Sequence, residues 1–135
     1  MIGMEYKSRR LDEGIVLAAG EYKGFHYYVI SYGTHPCCYI EIPEGHKYFN
    51  MDYEDIDFEC HGGLTFSESC LRPVDESGKR WFIGWDYAHC YDYVGYYMLA
   101  GFQPPLYFGH LKKWTTVELI LECLKAIKQL VRLSY

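Results

Sequence analysis

The run H-G-G-L-T-F (residues 61–66) combines residue types that suit the binding of an anion. Gly62 and Gly63 can adopt positive φ and leave their backbone N–H groups unobstructed, and successive exposed N–H groups form an anion-binding concavity. Thr65 would add a hydroxyl, and His61 would act as a proton donor, a base or a ligand-orienting group. The alternative for the same residues is a tight turn that carries a surface histidine.

A second group of titratable residues has the spacing Asp86-x-x-His89-x-x-Asp92. In a helical turn the carboxylate of Asp86 lies beside the imidazole of His89, fixes its tautomer and raises its basicity. Together with His61 from another strand end, these groups form a candidate acid/base set, in which His61, His89 and Asp86 are the catalytic residues. The alternative is a structural role, in which Asp86 caps a short helix. Because the sequence has neither an H-E-x-x-H motif nor a cysteine cluster, we predict no metal and no cofactor.

Aromatic and basic side chains accompany both groups and would complete a pocket for a phosphate ester of a flat base. Aromatic rings offer faces on which a base can stack, and arginine binds phosphate oxygens in two-point contacts. The predicted ligand-binding residues are Gly62, Gly63, Thr65, Arg72, Arg80, Trp81, Trp85, Tyr91 and Asp92. The same rings also suit a core or an oligomer interface, and each basic residue also suits a solvated surface.

The composition limits these interpretations. The 135 residues predict a single domain over residues 1–135, and 15 Tyr, 7 Phe and 3 Trp exclude a disordered chain. The net charge of -5 excludes a general polynucleotide binder, and no apolar run is long enough for a membrane-spanning helix. The start of the chain lacks an apolar signal core and the six cysteines form no C-x-x-C pair, which favours a reduced, cytoplasmic protein.

The elements that must position these residues follow from hydrophobic periodicity. Strands are predicted at residues 25–31, 38–42, 56–60 and 81–85, the first two as a hairpin, and a polar loop at 67–80. Thr115-x-x-Glu118 is a capping box that begins a helix over about 116–133. We expect this helix to cover the sheet with the face that carries Val117, Ile120, Leu121, Leu124, Ile127 and Val131.

Strands that come first and a helix that comes last predict an α+β fold with a mainly antiparallel sheet. No element is assigned to the first twenty residues. Residues 93–113 are aromatic, with Gly and a Pro-Pro pair, and are interpreted as an irregular loop.

Several motifs together resemble a family of small proteins that bacteriophages and prophages encode. They are C-Y-I-x-I-P-x-G-H (38–46), Y-x-D-I (53–56), H-G-G-L-T-F (61–66) and W-F-I-G-W-D-x-A-H-x-x-D (81–92). Tyr87 and Tyr91 depart from the family pattern, which has Cys and Gly there. The resemblance covers residues 35–92, and it implies the site candidates His46, His61, Gly62, Gly63, Thr65, Asp86, His89 and Asp92.

Small phage proteins that lack polymerase, nuclease and structural-protein signatures often act against bacterial defence systems. By this analogy, the resemblance implies a counter-defence function. We expect the protein to bind and sequester a small nucleotide-derived immune second messenger in an aromatic-lined pocket, and to form a homo-oligomer. One alternative is a hydrolase that cleaves such a nucleotide with His61 and His89 as acid/base pair. A second alternative is a protein–protein inhibitor, whose acidic strip (residues 41–59) docks on a host factor.

Overall fold

The computed structural model describes residues 14–33, 35–87 and 112–133 and has an α+β fold, as predicted. In the described part, five strands form an antiparallel sheet in the order β1-β2-β3-β5-β4, and one α-helix packs on one face. The elements are β1 (Ile15–Tyr22), β2 (Phe25–Ser31), β3 (Pro36–Glu41), β4 (Phe66–Glu68), β5 (Phe82–Asp86) and α1 (Thr116–Arg132). No helix in these ranges has both the length and the apolar character needed to cross a membrane.

The central strands agree with the predictions. β2 and β3 form the expected hairpin, and β5 matches the run predicted at 81–85. The side chains of β5 alternate between two apolar clusters. Ile83 and Trp85 face the helix, whereas Phe82 faces the other side of the sheet. The sheet therefore carries a large core under the helix and a smaller core on its opposite face.

The first strand was not predicted. β1 pairs with β2, and its register shifts between Val16 and Ala18, so that Leu17 is bulged. The middle of β1 is Ala-Ala-Gly, and these small residues conceal the apolar alternation that identifies a strand.

The prediction of a strand at residues 56–60 is wrong, although the alternation is real. Ile56 is buried and the ring centroid of Phe58 lies 6.2 Å from that of Trp85. The backbone bonds to a helix side chain instead of to a strand. Gln129 donates from Nε2 to the carbonyl of Glu59 at 2.7 Å, and its Oε1 accepts from the Glu59 N–H at 2.9 Å.

The helix begins with the predicted capping box, in which Thr115 and Glu118 each bond the other's backbone N–H. The predicted core face is largely wrong. The residues of α1 that are buried against the sheet are Leu119, Cys123, Ala126, Ile127 and Leu130. Val117, Leu121 and Val131 are exposed instead. Because α1 is apolar on two sides, periodicity alone does not tell which side meets the sheet.

His46 joins the loop after β3 to the end of α1 and is only 4% exposed. Its Nδ1 accepts from the Tyr48 N–H at 3.0 Å, so its Nε2 carries the hydrogen and donates to the Leu130 carbonyl at 2.9 Å. That carbonyl lies in the last turn of the helix. The geometry gives His46, a site candidate by family resemblance, a structural role.

We predict that His46→Ala lowers the free energy of unfolding by about 3 kcal/mol, because it opens a cavity and removes two buried hydrogen bonds. Denaturant unfolding followed by circular dichroism measures this change. The control is His26→Ala at an exposed histidine, where we expect about 0.5 kcal/mol or less. Equal losses at both positions would contradict the role given to His46.

Glu118 makes the stability depend on pH. Its ion pair with Lys112 and its bond from the Thr115 N–H hold its pKa below the ordinary value of 4.5. A lowered folded-state pKa stabilises the fold fully above the ordinary value, and this stabilisation is lost as the pH falls through the lowered pKa.

We therefore predict that Glu118→Gln lowers the melting temperature at pH 7, and that its difference from the wild type shrinks below about pH 4. Glu54→Gln, at an exposed carboxylate, is the control and should follow the wild type at every pH. A difference for Glu118→Gln that stays constant between pH 7 and pH 3 would contradict this assignment.

Candidate functional site

A groove of about 710 Å³ lies between α1 and the extended segment Glu59–His61. The two hydrogen bonds between Gln129 and the Glu59 backbone set the distance between its walls. The groove is lined by Glu59, Cys60, His61, Trp85, Glu122, Lys125, Ala126, Lys128, Gln129 and Arg132. Its size falls within the range of small-molecule sites, roughly 300–1,000 Å³.

The imidazole of His61 is held in a cluster of rings at one end of this groove. It stacks on Tyr87 with ring centroids 4.6 Å apart and an interplanar angle of 11°. Trp114 meets both rings, with centroids 5.2 Å from His61 and 4.8 Å from Tyr87. Tyr87 is itself fixed, because its hydroxyl accepts from the indole N–H of Trp85 at 2.9 Å. The cluster orients His61 without exposing Tyr87, which is fully buried.

Cationic side chains of α1 form the other wall. Lys125 pairs with Glu122 at 3.2 Å and remains largely exposed. No carboxylate among the described residues pairs with Lys128 or Arg132. Sequence reasoning assigned these cations only to the negative end of the helix dipole. These cations line a groove only because the segment 59–61 packs beside α1, and local periodicity does not reveal that packing.

Cys60 lies in the groove but is not activated. The pKa of its thiol is raised to about 12, chiefly by burial; a hydrogen bond from the Gly63 backbone opposes this rise, and the charge of Glu122 adds to it. The thiolate is the nucleophilic form of cysteine, so Cys60 is a poor nucleophile at neutral pH.

We predict that iodoacetamide at pH 8 alkylates Cys60 in the folded protein roughly a thousand-fold more slowly than in the unfolded chain, in proportion to the thiolate fraction. Peptide mapping by mass spectrometry measures the rate at this site. Rapid modification of Cys60 under native conditions would contradict the raised pKa.

Gly62 and Gly63 form a turn, with φ of 70° and 85°. The Gly63 N–H donates to the Cys60 carbonyl at 3.0 Å and so is used within the turn. A Cβ atom at Gly63 would meet nothing within 4 Å, so backbone conformation alone accounts for this glycine. The contribution of the turn to the groove is the placement of His61.

Asp86 lies on the other face of the sheet from His61. It is the register partner of Cys37 on β3, and directly opposed residues point to the same side. That side holds a second cavity of about 260 Å³, lined by His35, Cys37, Tyr39, Thr65, Phe66, Trp85 and Asp86. Thr65 lines this cavity together with Asp86, and Asp86 is separated from His61.

His35 and Cys37 in this second cavity were not identified from the sequence. The strand predicted at residues 38–42 begins after both of them, whereas β3 begins at Pro36. What was missing was the pairing of β3 with β5, which sets Cys37 against Asp86.

The predicted basic residues lie away from the groove. Arg80 donates to both Glu41 and Asp75, and also to the hydroxyl of Tyr28 at 3.2 Å. These bonds hold the pKa of Arg80 above its ordinary value, the bond to Glu41 first among them. Six residues of nearly extended chain, about 20 Å, separate Arg80 from Asp86.

Arg72 pairs at 2.8 Å with Glu76 in the exposed turn after β4. The two tryptophans have structural partners: the Trp81 indole N–H donates to the Met51 carbonyl at 3.1 Å, and Trp85 is almost fully buried.

His89, Tyr91 and Asp92 lie outside the described residues. Among residues 14–33, 35–87 and 112–133, no group of three potential ligands could hold a metal ion.

Comparison of the chain with protein-family models, curated proteins and solved structures yields no match.

Proposed function

We propose that this protein binds and sequesters a small nucleotide-derived signal in the groove between His61 and α1. The observation that supports this proposal is the groove of about 710 Å³, which the fixed His61 ring lines together with Lys125, Lys128 and Arg132. Lysine and arginine bind phosphate oxygens by charge-assisted hydrogen bonds, and a ring supports a flat base by stacking. A net charge of -5 is compatible with one such ligand, because the three cations that line the groove outnumber its two carboxylates, Glu59 and Glu122.

The biological setting of the proposal comes from the resemblance to phage proteins and is counter-defence in the cytoplasm of an infected cell. Sequestration needs binding without turnover. The groove favours binding over turnover, because burial raises the pKa of the Cys60 thiol and the His61 ring is held by stacking on Tyr87.

The test is to purify the protein from cells with an active nucleotide-signalling defence, denature it with heat and analyse the released molecules by mass spectrometry. We expect an intact nucleotide in near-stoichiometric amount. His61→Ala and Lys125→Ala should each weaken binding about ten-fold, which corresponds to about 1.4 kcal/mol. The matched controls His26→Ala and Lys79→Ala, both at exposed residues away from the groove, should retain it.

Three results would contradict sequestration. An empty protein with an unchanged signal pool would contradict any nucleotide function. Release of a cleaved nucleotide would favour the hydrolase. Equal binding by the groove variants and the controls would place the ligand elsewhere.

A second candidate function is inhibition of a basic host protein through the acidic strip. Glu41 is withdrawn into the ion pair with Arg80, but Asp52, Glu54, Asp55 and Asp57 are exposed together around a short 3-10 turn. If neutralising these four carboxylates abolishes counter-defence while His61→Ala retains it, the inhibitor is favoured over the sequestering protein.

A further inference from the structure

The helix α1 has a second apolar face besides the one buried on the sheet. Val117 is 67% exposed, Leu121 is 54% exposed and Val131 is 38% exposed, and Leu124 between them is half-buried. A surface helix normally has one apolar stripe, directed to the core. The core stripe of α1 is complete without these residues, so the second face needs a separate explanation.

The spacing of this face is that of a helix that packs against another helix. Residues 117, 121, 124, 128 and 131 follow one another at intervals of four and three, which is the a/d repeat of a coiled coil. Lys128 occupies one of these positions, where its aliphatic stem can cover apolar surface while its ammonium stays in water. We call these five residues the outer seam.

The edge of the sheet extends the outer seam. The thiol of Cys38 on β3 donates to the Leu119 carbonyl at 3.9 Å. Cys38 pairs with Val29 on β2, and Val29 pairs with Ala18 on β1, so Ala18 lies at about the same height along the helix axis as Leu119. Ile15 (54% exposed) and Leu17 (44% exposed) therefore lie near the level of the first turn of α1.

At the other end of the helix, Val131 lines a cavity with Tyr22, where β1 ends. The exposed apolar side chains of seam and edge thus run along the same side of the molecule. Together they present on the order of 400 Å², a patch size that in soluble proteins commonly marks an interface. A stable dimer buries about 800 Å² per partner, of which this patch supplies about half.

The charges along α1 indicate the orientation of a partner. Glu118 and Glu122 lie in its first half, and Lys125, Lys128 and Arg132 lie in its second half. Two copies of α1 side by side in antiparallel orientation place the acidic half of each against the basic half of the other, and their dipoles oppose. A parallel pair would place like charges together.

We propose that the outer seam binds a second copy of this chain, as an antiparallel pair of α1 helices whose two-fold axis passes near Leu124. In this arrangement Val117 meets the partner's Val131, and Leu121 meets the stem of the partner's Lys128. The contact is isologous, as expected for a closed dimer.

Sedimentation equilibrium of the full chain tests the dimer. We expect the wild type to be dimeric at about 10 μM, and Leu124→Glu to raise the dissociation constant at least a hundred-fold, because the two-fold axis then brings two carboxylates together in the seam. Val16→Glu, at an apolar residue of β1 that is 41% exposed on the opposite face, is the matched control and should stay dimeric. Circular dichroism verifies the fold of each variant.

Crosslinking with a short bismaleimide tests the orientation and does not depend on the stability of Leu124→Glu. Leu124→Cys should crosslink to itself. Val117→Cys and Val131→Cys should crosslink to each other in a mixture but not separately, because an antiparallel pair holds two copies of either residue about 21 Å apart. The wild type reports the background from its own cysteines.

A wild type that stays monomeric at about 100 μM would overturn the proposal and assign the seam to another partner. Self-crosslinking of Val117→Cys as fast as that of Leu124→Cys would overturn the antiparallel arrangement.

Discussion

The arrangement of this molecule depends on hydrogen bonds between α1 and the backbone of the chain between β3 and β4. Gln129 satisfies the N–H and the carbonyl of Glu59, and the carbonyl of Leu130 accepts from His46. Backbone N–H and carbonyl groups need hydrogen-bond partners, and here helix groups supply them in place of a neighbouring strand. The groove exists because this segment is held beside the helix rather than added to the sheet.

The separation of His61 from Asp86 follows from the same arrangement. His61 belongs to the segment held by α1 and packs with Tyr87 on the helix side. Asp86, one residue before Tyr87, points to the opposite side because neighbouring strand residues alternate. The predicted pair of His61 and Asp86 is thus divided between two cavities, because Asp86 is one strand position away from the residue that faces His61.

What could be predicted from the sequence was set by local rules. The capping box at Thr115 and Glu118, the hairpin of β2 and β3, and the apolar run of β5 depend on neighbours in the chain and were predicted correctly. The segment 56–60 was misassigned because alternation shows that a chain is half-buried, not what its backbone bonds to. The core face of α1 and the pairing of Cys37 with Asp86 were out of reach, since both depend on tertiary contacts.

The hydrogen bonds that fix the groove join residues far apart in sequence. Glu59 and Gln129 are 70 residues apart, and His46 and Leu130 are 84 apart. During synthesis the loop of His46 and the turn of His61 leave the ribosome long before the helix that holds them. The early strands can pair at once, but the groove is assembled last, and such long-range contacts are typical of slow folding. Translation itself therefore delays the appearance of the groove until α1 is complete.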